Sequence, residues 1–121
     1  MNITAIRAQL ASQFVGFHAY ATEPTQADSP YVTVGFPEVG YDTTFGGVAE
    51  LTFVLEIGTA TSDETTAEKF LASTLDGLVS TVVQANALWR AIAVKRSSKP
   101  QAKVIGNATF NTVQAVIEVH A

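Results

Sequence analysis

The segment 48–58 constrains the fold of this chain more than any other part of the sequence. Apolar residues alternate there with mostly polar ones, the first set being Leu51, Phe53, Leu55 and Ile57 and the second Glu50, Thr52, Val54 and Glu56. Because successive side chains of a β-strand point to opposite faces, this pattern predicts a strand with one buried face. The other face is expected to meet water or a partner.

Further strands are predicted on both sides of this segment. We expect a short strand over 17–20, and a second over 31–36 with Val32, Val34 and Phe36 on one face. Pro37 predicts that the chain then bends or leaves the sheet, before extending again over 39–45. Gly46-Gly47 has the composition of a two-residue hairpin turn, whose central positions favour positive φ.

Two helical regions separate the strands. Ile3, Ile6, Leu10 and Phe14 recur at helical spacing, which predicts a helix over 3–14 that ends at Gly16. The sequence 61–64 has the form of a capping box, in which Thr61 caps the helix and Glu64 reaches back to it. A helix with an apolar stripe follows, broken near Gly77 and continued by a shorter piece over 80–86.

The carboxyl-terminal third returns to β-structure. We predict strands over 88–95, 102–105 and 108–119, the last two joined by a turn at Gly106-Asn107. Strands joined by glycine turns rather than helical crossovers indicate a mainly antiparallel sheet. The expected fold is therefore one α+β domain over 1–121, with a mainly antiparallel or mixed sheet, two to three helices on one face and a long hairpin protruding around Gly46-Gly47.

Composition excludes several protein classes. The chain has 121 residues, no cysteine, 15% charged residues and a net charge of −4. The absence of cysteine excludes a disulfide scaffold, a thiolate metal site and a cysteine nucleophile. We expect no secretory signal in the first residues and no membrane-spanning helix, since no run of about 18 apolar residues occurs. Cytoplasmic location is the default expectation.

The sequence contains no recognisable catalytic motif. His18 and His120, the two histidines, have no metal-ligand spacing, and no partner cluster of carboxylates is evident. A Gly-x-Ser-x-Gly elbow is absent, and Gly46-Gly47 precedes a strand rather than the helix that a phosphate loop needs. We therefore expect neither an enzyme nor a metal or cofactor site.

Charge is unevenly distributed along the chain. Residues 1–89 carry ten acidic and two basic residues, whereas 90–103 carries five basic residues and no acidic one. The basic residues of this segment are Arg90, Lys95, Arg96, Lys99 and Lys103. Such a segment can contact nucleic acid or an acidic protein, although lysine is also a common device that keeps an edge strand soluble. Without interleaved aromatic residues the case for nucleic acid is weaker.

Apolar residues on the expected outer face point to assembly. Val54 and Val116 break the polar pattern of their strands on that face. Apolar surface on a small domain usually marks an interface, and symmetric self-association is the commonest way to cover it.

The segment 30–58, which includes Pro30-Tyr31-Val32-Thr33-Val34-Gly35-Phe36-Pro37 and the alternating strand, resembles the tail terminator and head–tail joining proteins of long-tailed actinobacterial phages. The order of elements along most of the chain is similar as well. The resemblance implies a virion protein at the tail–neck junction, present in the host cytoplasm during assembly. It implies a six-membered ring of identical subunits that caps the tail tube and ends its polymerisation.

The resemblance also implies partners. These are copies of the chain, the major tail tube protein, a neck or head-completion protein, and DNA that passes through the ring without sequence-specific binding. We expect the hairpin to contact a neighbouring subunit or ring through Tyr41, Asp42, Thr43, Thr44, Phe45, Gly46 and Gly47. The basic segment would face an acidic ring or the DNA.

Other functions remain open at this point. A neck stopper or a tail tube subunit can share this size and element order. A small-molecule-binding module would have a pocket between helix and sheet, and a nucleic-acid-binding module would use the basic strands directly.

Overall fold

The computed structural model describes residues 3–42, 47–60, 63–82 and 91–120. Three helices and seven strands lie within these ranges. The helices are α1 (Ile3–Ser12), α2 (Glu64–Asp76) and α3 (Leu78–Val82). The strands are β1 (His18–Tyr20), β2 (Tyr31–Val34), β3 (Glu38–Asp42), β4 (Gly47–Thr59), β5 (Ala91–Ser97), β6 (Gln101–Ile105) and β7 (Ala108–His120).

Two long antiparallel strands form the centre of the sheet. β4 and β7 have 13 residues each and pair continuously from Glu50↔His120 to Thr59↔Asn111. Their odd-numbered residues point to one face and their even-numbered residues to the other, as the alternation in 48–58 predicts. The pair therefore defines both faces of the whole sheet.

Shorter strands cover the two edges of this pair. β2 and β3 both pair with β4, at opposite ends of the same edge, while β5 and β6 pair in the same way with β7. β1 extends the sheet beyond β2 and pairs with β2 in parallel. The expectation of an α+β fold with a mainly antiparallel, partly mixed sheet and three helices is confirmed.

The helices pack on the odd-numbered face. Ile6, Leu10 and Phe14 follow the helical spacing of α1 and its extension, and they are buried with Leu71 of α2 and Leu78 of α3. The sheet contributes buried residues at alternating positions of the central strands, namely Leu51, Phe53, Leu55, Ile57, Val113, Ala115, Ile117 and Val119. This is the main hydrophobic core, and the helices lie on one face as expected.

A second, smaller cluster lies on the opposite face of the sheet. The rings of Tyr31 and Phe110 meet edge to face with centroids 5.1 Å apart, and Ile105 packs beside them. All three are buried, with Tyr20 and Ala27 packing around them from the segment that leads into β2. One end of this second face is therefore closed by packing.

The start of α2 differs from the prediction. The helix begins at Glu64 with Asp63, not Thr61, as its N-cap. The Asp63 carboxylate accepts hydrogen bonds from the Thr65 amide at 3.0 Å and the Thr66 hydroxyl at 2.7 Å. These bonds lower the pKa of Asp63, with the Thr66 hydroxyl as the larger cause. The predicted cap, Thr61, lies outside the described residues.

The strands around Pro37 and Gly47 also differ in detail. β2 ends at Val34, so Phe36 does not continue its apolar face and is exposed instead. The chain leaves the sheet only over 35–37, and β3 then rejoins the same edge of β4. Gly47 is not a central turn residue: it begins β4 and pairs with Asp42.

Two other glycines have positive φ, although α1 ends at Ser12 rather than at 14 as predicted. Gly16 follows α1 with φ of +85°, and Gly106 lies between β6 and β7 with φ of +61°. Positive φ at Gly106 fits the tight hairpin turn expected for Gly106-Asn107. The predicted helical piece 80–86 corresponds to α3 as far as Val82, and its remainder lies outside the described residues.

Within the described ranges, the structure contains no helix with the length and apolar character that crossing a membrane requires.

Gly58→Ala tests the packing of the closed end. A β-carbon at Gly58 would lie 2.2 Å from Cε1 of Tyr31, whose ring covers this glycine from the neighbouring strand. Because Tyr31 is fully buried against Phe110, the ring cannot move without disturbing the cluster. We expect the substitution to lower the free energy of unfolding by about 1–3 kcal/mol, measured by urea denaturation.

Gly35→Ala is the matched control, because a β-carbon there has no heavy atom within 4 Å. We expect a change within about 0.5 kcal/mol. Equal effects of the two substitutions would contradict the packing described for Tyr31.

Candidate interaction surface

The open part of the second sheet face is the broadest candidate surface among the described residues. We call it the outer patch: the face opposite the helices, where β3, β4, β7 and β5 lie side by side. Cross-strand neighbours share a face, so strand register places its residues in three rows. The rows are Gly40–Glu50–His120–Ala91, Glu38–Thr52–Glu118–Ala93 and Val54–Val116–Arg96.

The third row gives the patch an apolar centre. Val54 is 51% exposed, and Val116 lies directly opposite it on β7 with partial burial. The other face of the same two strands is fully covered by helices. Val54 is thus an exposed β-branched residue in the middle of a sheet, which is the kind of position that a partner covers.

Charge is divided across the outer patch. Glu38, Glu50 and Glu118 occupy the first two rows, whereas Arg96 ends the third row on β5. Lys95 is the extra residue of a β-bulge between Val94 and Arg96, and its ammonium lies 4.0 Å from Glu118. The patch therefore has an acidic side and a basic edge.

The closed end of the same face contains a polar network. Glu56 accepts a hydrogen bond from the Tyr31 hydroxyl at 2.7 Å, and Nζ of Lys103 donates to both of its carboxylate oxygens at 2.9 and 3.0 Å. Lys103 also pairs with Glu23 at 2.7 Å. The network ties β2, β4 and β6 to the segment that leads into β2, so its geometry indicates a structural role.

The network shifts two pKa values upward. Burial, reinforced by the hydrogen bond to Glu56, raises the pKa of the Tyr31 hydroxyl far above its ordinary value. The hydrogen bond to Glu23, with further support from Glu56, raises the pKa of Lys103 above 10.5. Both groups therefore keep their protons throughout the neutral range.

The predicted hairpin residues are described only in part. Tyr41 is 69% exposed on β3 and Asp42 pairs with Gly47, while Thr43, Thr44, Phe45 and Gly46 lie outside the described residues. The structure also exposes Phe36, just before β3, with its ring 5.9 Å from the Arg7 guanidinium. The role of the hairpin in subunit contact stays a prediction.

The predicted basic residues do not form one group. Lys95, Arg96 and Lys99 are exposed on and after β5, whereas Lys103 is held between two carboxylates. Arg90 lies outside the described residues. The cations available to a partner are therefore the first three, and their contact role also stays a prediction.

A groove of about 290 Å³ lies between α1 and the edge formed by β1 and β2. Its lining is mostly apolar, and the Arg7 side chain that borders it donates to the carbonyl oxygens of Ala21 and Val34. Nε and Nη2 of Arg7 are thus engaged within the fold. A small-molecule-binding module would hold its ligand in a groove of this kind. The outer patch, however, offers more exposed functional groups.

Sequence reasoning missed the convergence of Glu50, Glu118 and His120. Their ligand atoms lie within 4.8 Å of one another, with Nε2 of His120 2.6 Å from Oε1 of Glu118. The spacing of Glu118 and His120 on one strand is visible in the sequence. Glu50 joins them only through the register of β4 with β7, which sequence alone does not reveal.

Lys103→Met tests the closed end and its pH dependence. We expect a loss of about 1–3 kcal/mol of unfolding free energy at pH 7, because Glu56 loses its charged donor in a largely buried position. Since the folded-state pKa of Lys103 is raised, its contribution is complete at pH values below 10.5 and disappears as the pH rises through the folded-state pKa. The difference between wild type and variant should therefore shrink in urea denaturation at strongly alkaline pH.

Lys99→Met is the control, because this lysine is exposed in the turn between β5 and β6. It should leave stability unchanged within about 0.5 kcal/mol. A Lys103→Met variant as stable as Lys99→Met at pH 7 would show that the network contributes nothing.

Comparison with known proteins identifies no family for this chain. No protein-family model matches the chain, and no curated protein matches it either. Functional inference therefore starts from the arrangement of the outer patch and from the sequence resemblance of segment 30–58.

Proposed function

We propose that the chain is a structural subunit that assembles with copies of itself, in the manner of the tail terminator rings of long-tailed phages. The observation that carries the self-association is the outer patch, with Val54 exposed at its centre. The resemblance of segment 30–58 to terminator and head–tail joining proteins gives the proposal its specific form.

The first argument is the imbalance between the two faces of β4 and β7. One face is buried under α1, α2 and α3, while none of the described helices covers the other face at the outer patch. A second copy that covers Val54 and Val116 would remove apolar surface from water, which contributes roughly 25 cal/mol per Å². Burial of this apolar surface would therefore favour association of two copies.

The second argument is electrostatic. The acidic rows with Glu38 and Glu50 lie across the patch from the basic edge with Arg96. Two copies displaced relative to each other can therefore bring opposite charges together across their contact. Charge division of this kind specifies orientation more than it adds affinity.

Within this proposal, the ring occupies the tail–neck junction of a virion. Its partners are the tail tube protein on one side and a neck protein on the other, with DNA passing through the opening. The hairpin from Tyr41 to Gly47 contacts the neighbouring subunit or ring. A neck stopper or a tube subunit would use the same patch for self-association and differs in its position along the tail.

Val54→Asp tests self-association through the outer patch. We expect wild type to form a ring-sized oligomer at high concentration and the variant to be shifted towards monomer by tenfold or more in dissociation constant. Light scattering coupled to size exclusion over a dilution series gives the masses. Far-UV circular dichroism should be unchanged, because Val54 contributes nothing to the buried core.

Val104→Asp is the matched control, since Val104 is 70% exposed but lies on β6, outside the outer patch. It should assemble like wild type. If wild type stays monomeric at every concentration, or both variants dissociate equally, self-association through this face is wrong.

Lys95→Glu combined with Arg96→Glu tests the basic edge. We expect the double variant to associate more weakly with its partner subunit or ring while remaining folded, because two cations become anions opposite acidic groups. Sedimentation velocity at low and high salt measures the effect. Strong binding of wild type to a labelled DNA oligonucleotide, lost steeply with salt, would instead favour nucleic acid as the partner.

A further inference from the structure

Three potential metal ligands converge at one corner of the outer patch. Glu50 on β4 pairs directly with His120 on β7, and Glu118 lies two residues before His120 on the same face. One ligand atom from each lies within 4.8 Å of the other two. All three side chains are partly buried, so they are neither free in solution nor sealed in the core.

The positive charge at this corner is farther from the carboxylates than it is at the closed end. There, Glu23 and Glu56 share the Lys103 ammonium at 2.7–3.0 Å. At the corner, Nε2 of His120 lies 2.6 Å from Oε1 of Glu118, and the nearest described ammonium, that of Lys95, is 4.0 Å from Glu118. With a neutral imidazole, the corner carries two negative charges against one more distant positive charge.

The backbone beside the corner leaves room for Glu50 to take this position. Gly40 is the β3 residue opposite Glu50, and a β-carbon there would lie 2.8 Å from Cγ of Glu50. The Glu50 side chain therefore extends over a residue that has no side chain. Any larger residue at position 40 would displace the carboxylate from His120.

We propose that Glu50, Glu118 and His120 form a binding site for one divalent transition-metal ion, with Zn²⁺ preferred over Mg²⁺ and Mn²⁺. One imidazole and two carboxylates are a donor set that zinc accepts, at ligand distances of about 2.0–2.2 Å. Harder ions such as Mg²⁺ favour all-oxygen sites, and Zn²⁺ binds nitrogen and oxygen donors more tightly than Mn²⁺ does. The site needs only small side-chain rotations, because its ligand atoms are already within 4.8 Å.

Three protein ligands leave at least one coordination position to water. The site lies within a single chain and does not depend on ring formation. Lys95 competes with the ion, because its ammonium approaches the Glu118 carboxylate that the ion would use as a ligand. Removing this lysine should therefore strengthen metal binding, whereas a purely structural His120–Glu118 contact predicts no such effect.

The test is titration of the metal-free, untagged chain with ZnCl₂ by calorimetry, and with CoCl₂ by visible absorption. We expect one equivalent of Zn²⁺ per chain and a Co²⁺ spectrum with nitrogen and oxygen ligation. His120→Ala and Glu50→Gln should each weaken binding at least tenfold. Lys95→Met should strengthen it several-fold, and Gly40→Ala should weaken it although all three ligands are present.

His18→Ala is the matched control, because His18 and His120 are the chain's two histidines and His18 lies exposed on β1. It should bind Zn²⁺ like wild type. Circular dichroism confirms that each variant is folded, and Glu50→Gln replaces His120→Ala if the latter is not. Absence of stoichiometric Zn²⁺ binding in wild type, or equal binding by wild type and Glu50→Gln, overturns the proposal.

Discussion

The continuous pairing of β4 with β7 is the constraint on which the rest of the structure depends. Ten cross-strand pairs fix the register from Glu50↔His120 to Thr59↔Asn111. Since a slip of one residue would exchange the faces of a strand, this register places Leu51 and Val119 under the helices. The same register places Val54 against Val116 and Glu50 against His120. The core, the outer patch and the corner formed by Glu50, Glu118 and His120 thus follow from one alignment.

The two ends of the outer face differ because different segments of the chain pack beside them. Towards Gly58, Tyr31 of β2, Phe110 of β7 and Lys103 of β6 close the surface by packing and ion pairing. Towards Glu50, only β3 and β5 flank the central pair, and nothing among the described residues lies above it. A single sheet face therefore combines a part that stabilises the chain with a part that is free to meet another molecule.

Sequence patterns predicted what depends on local periodicity and missed what depends on register. The alternation of Leu51, Phe53, Leu55 and Ile57 was sufficient to predict the buried face of β4. The fold class followed from the helical spacing and the glycine turns between strands. The helix cap was placed two residues early, because Thr61 and Asp63 both suit an N-cap and only the bonds to Asp63 distinguish them. Partners such as Glu56 and Lys103 are 47 residues apart, so their contact could not be read from either segment. Which surface meets another subunit depends on partners that the sequence does not encode.

The bulge at Lys95 has a consequence for the behaviour of the edge. Because Val94 pairs with Ile117 and Arg96 with Val116, Lys95 is unmatched and interrupts the regular spacing of backbone donors and acceptors on β5. A foreign strand aligned with this edge would meet that break and a charged side chain, which disfavours unlimited strand addition. The bulge thereby disfavours fibril growth through this edge, and within the proposed assembly it favours contact between sheet faces.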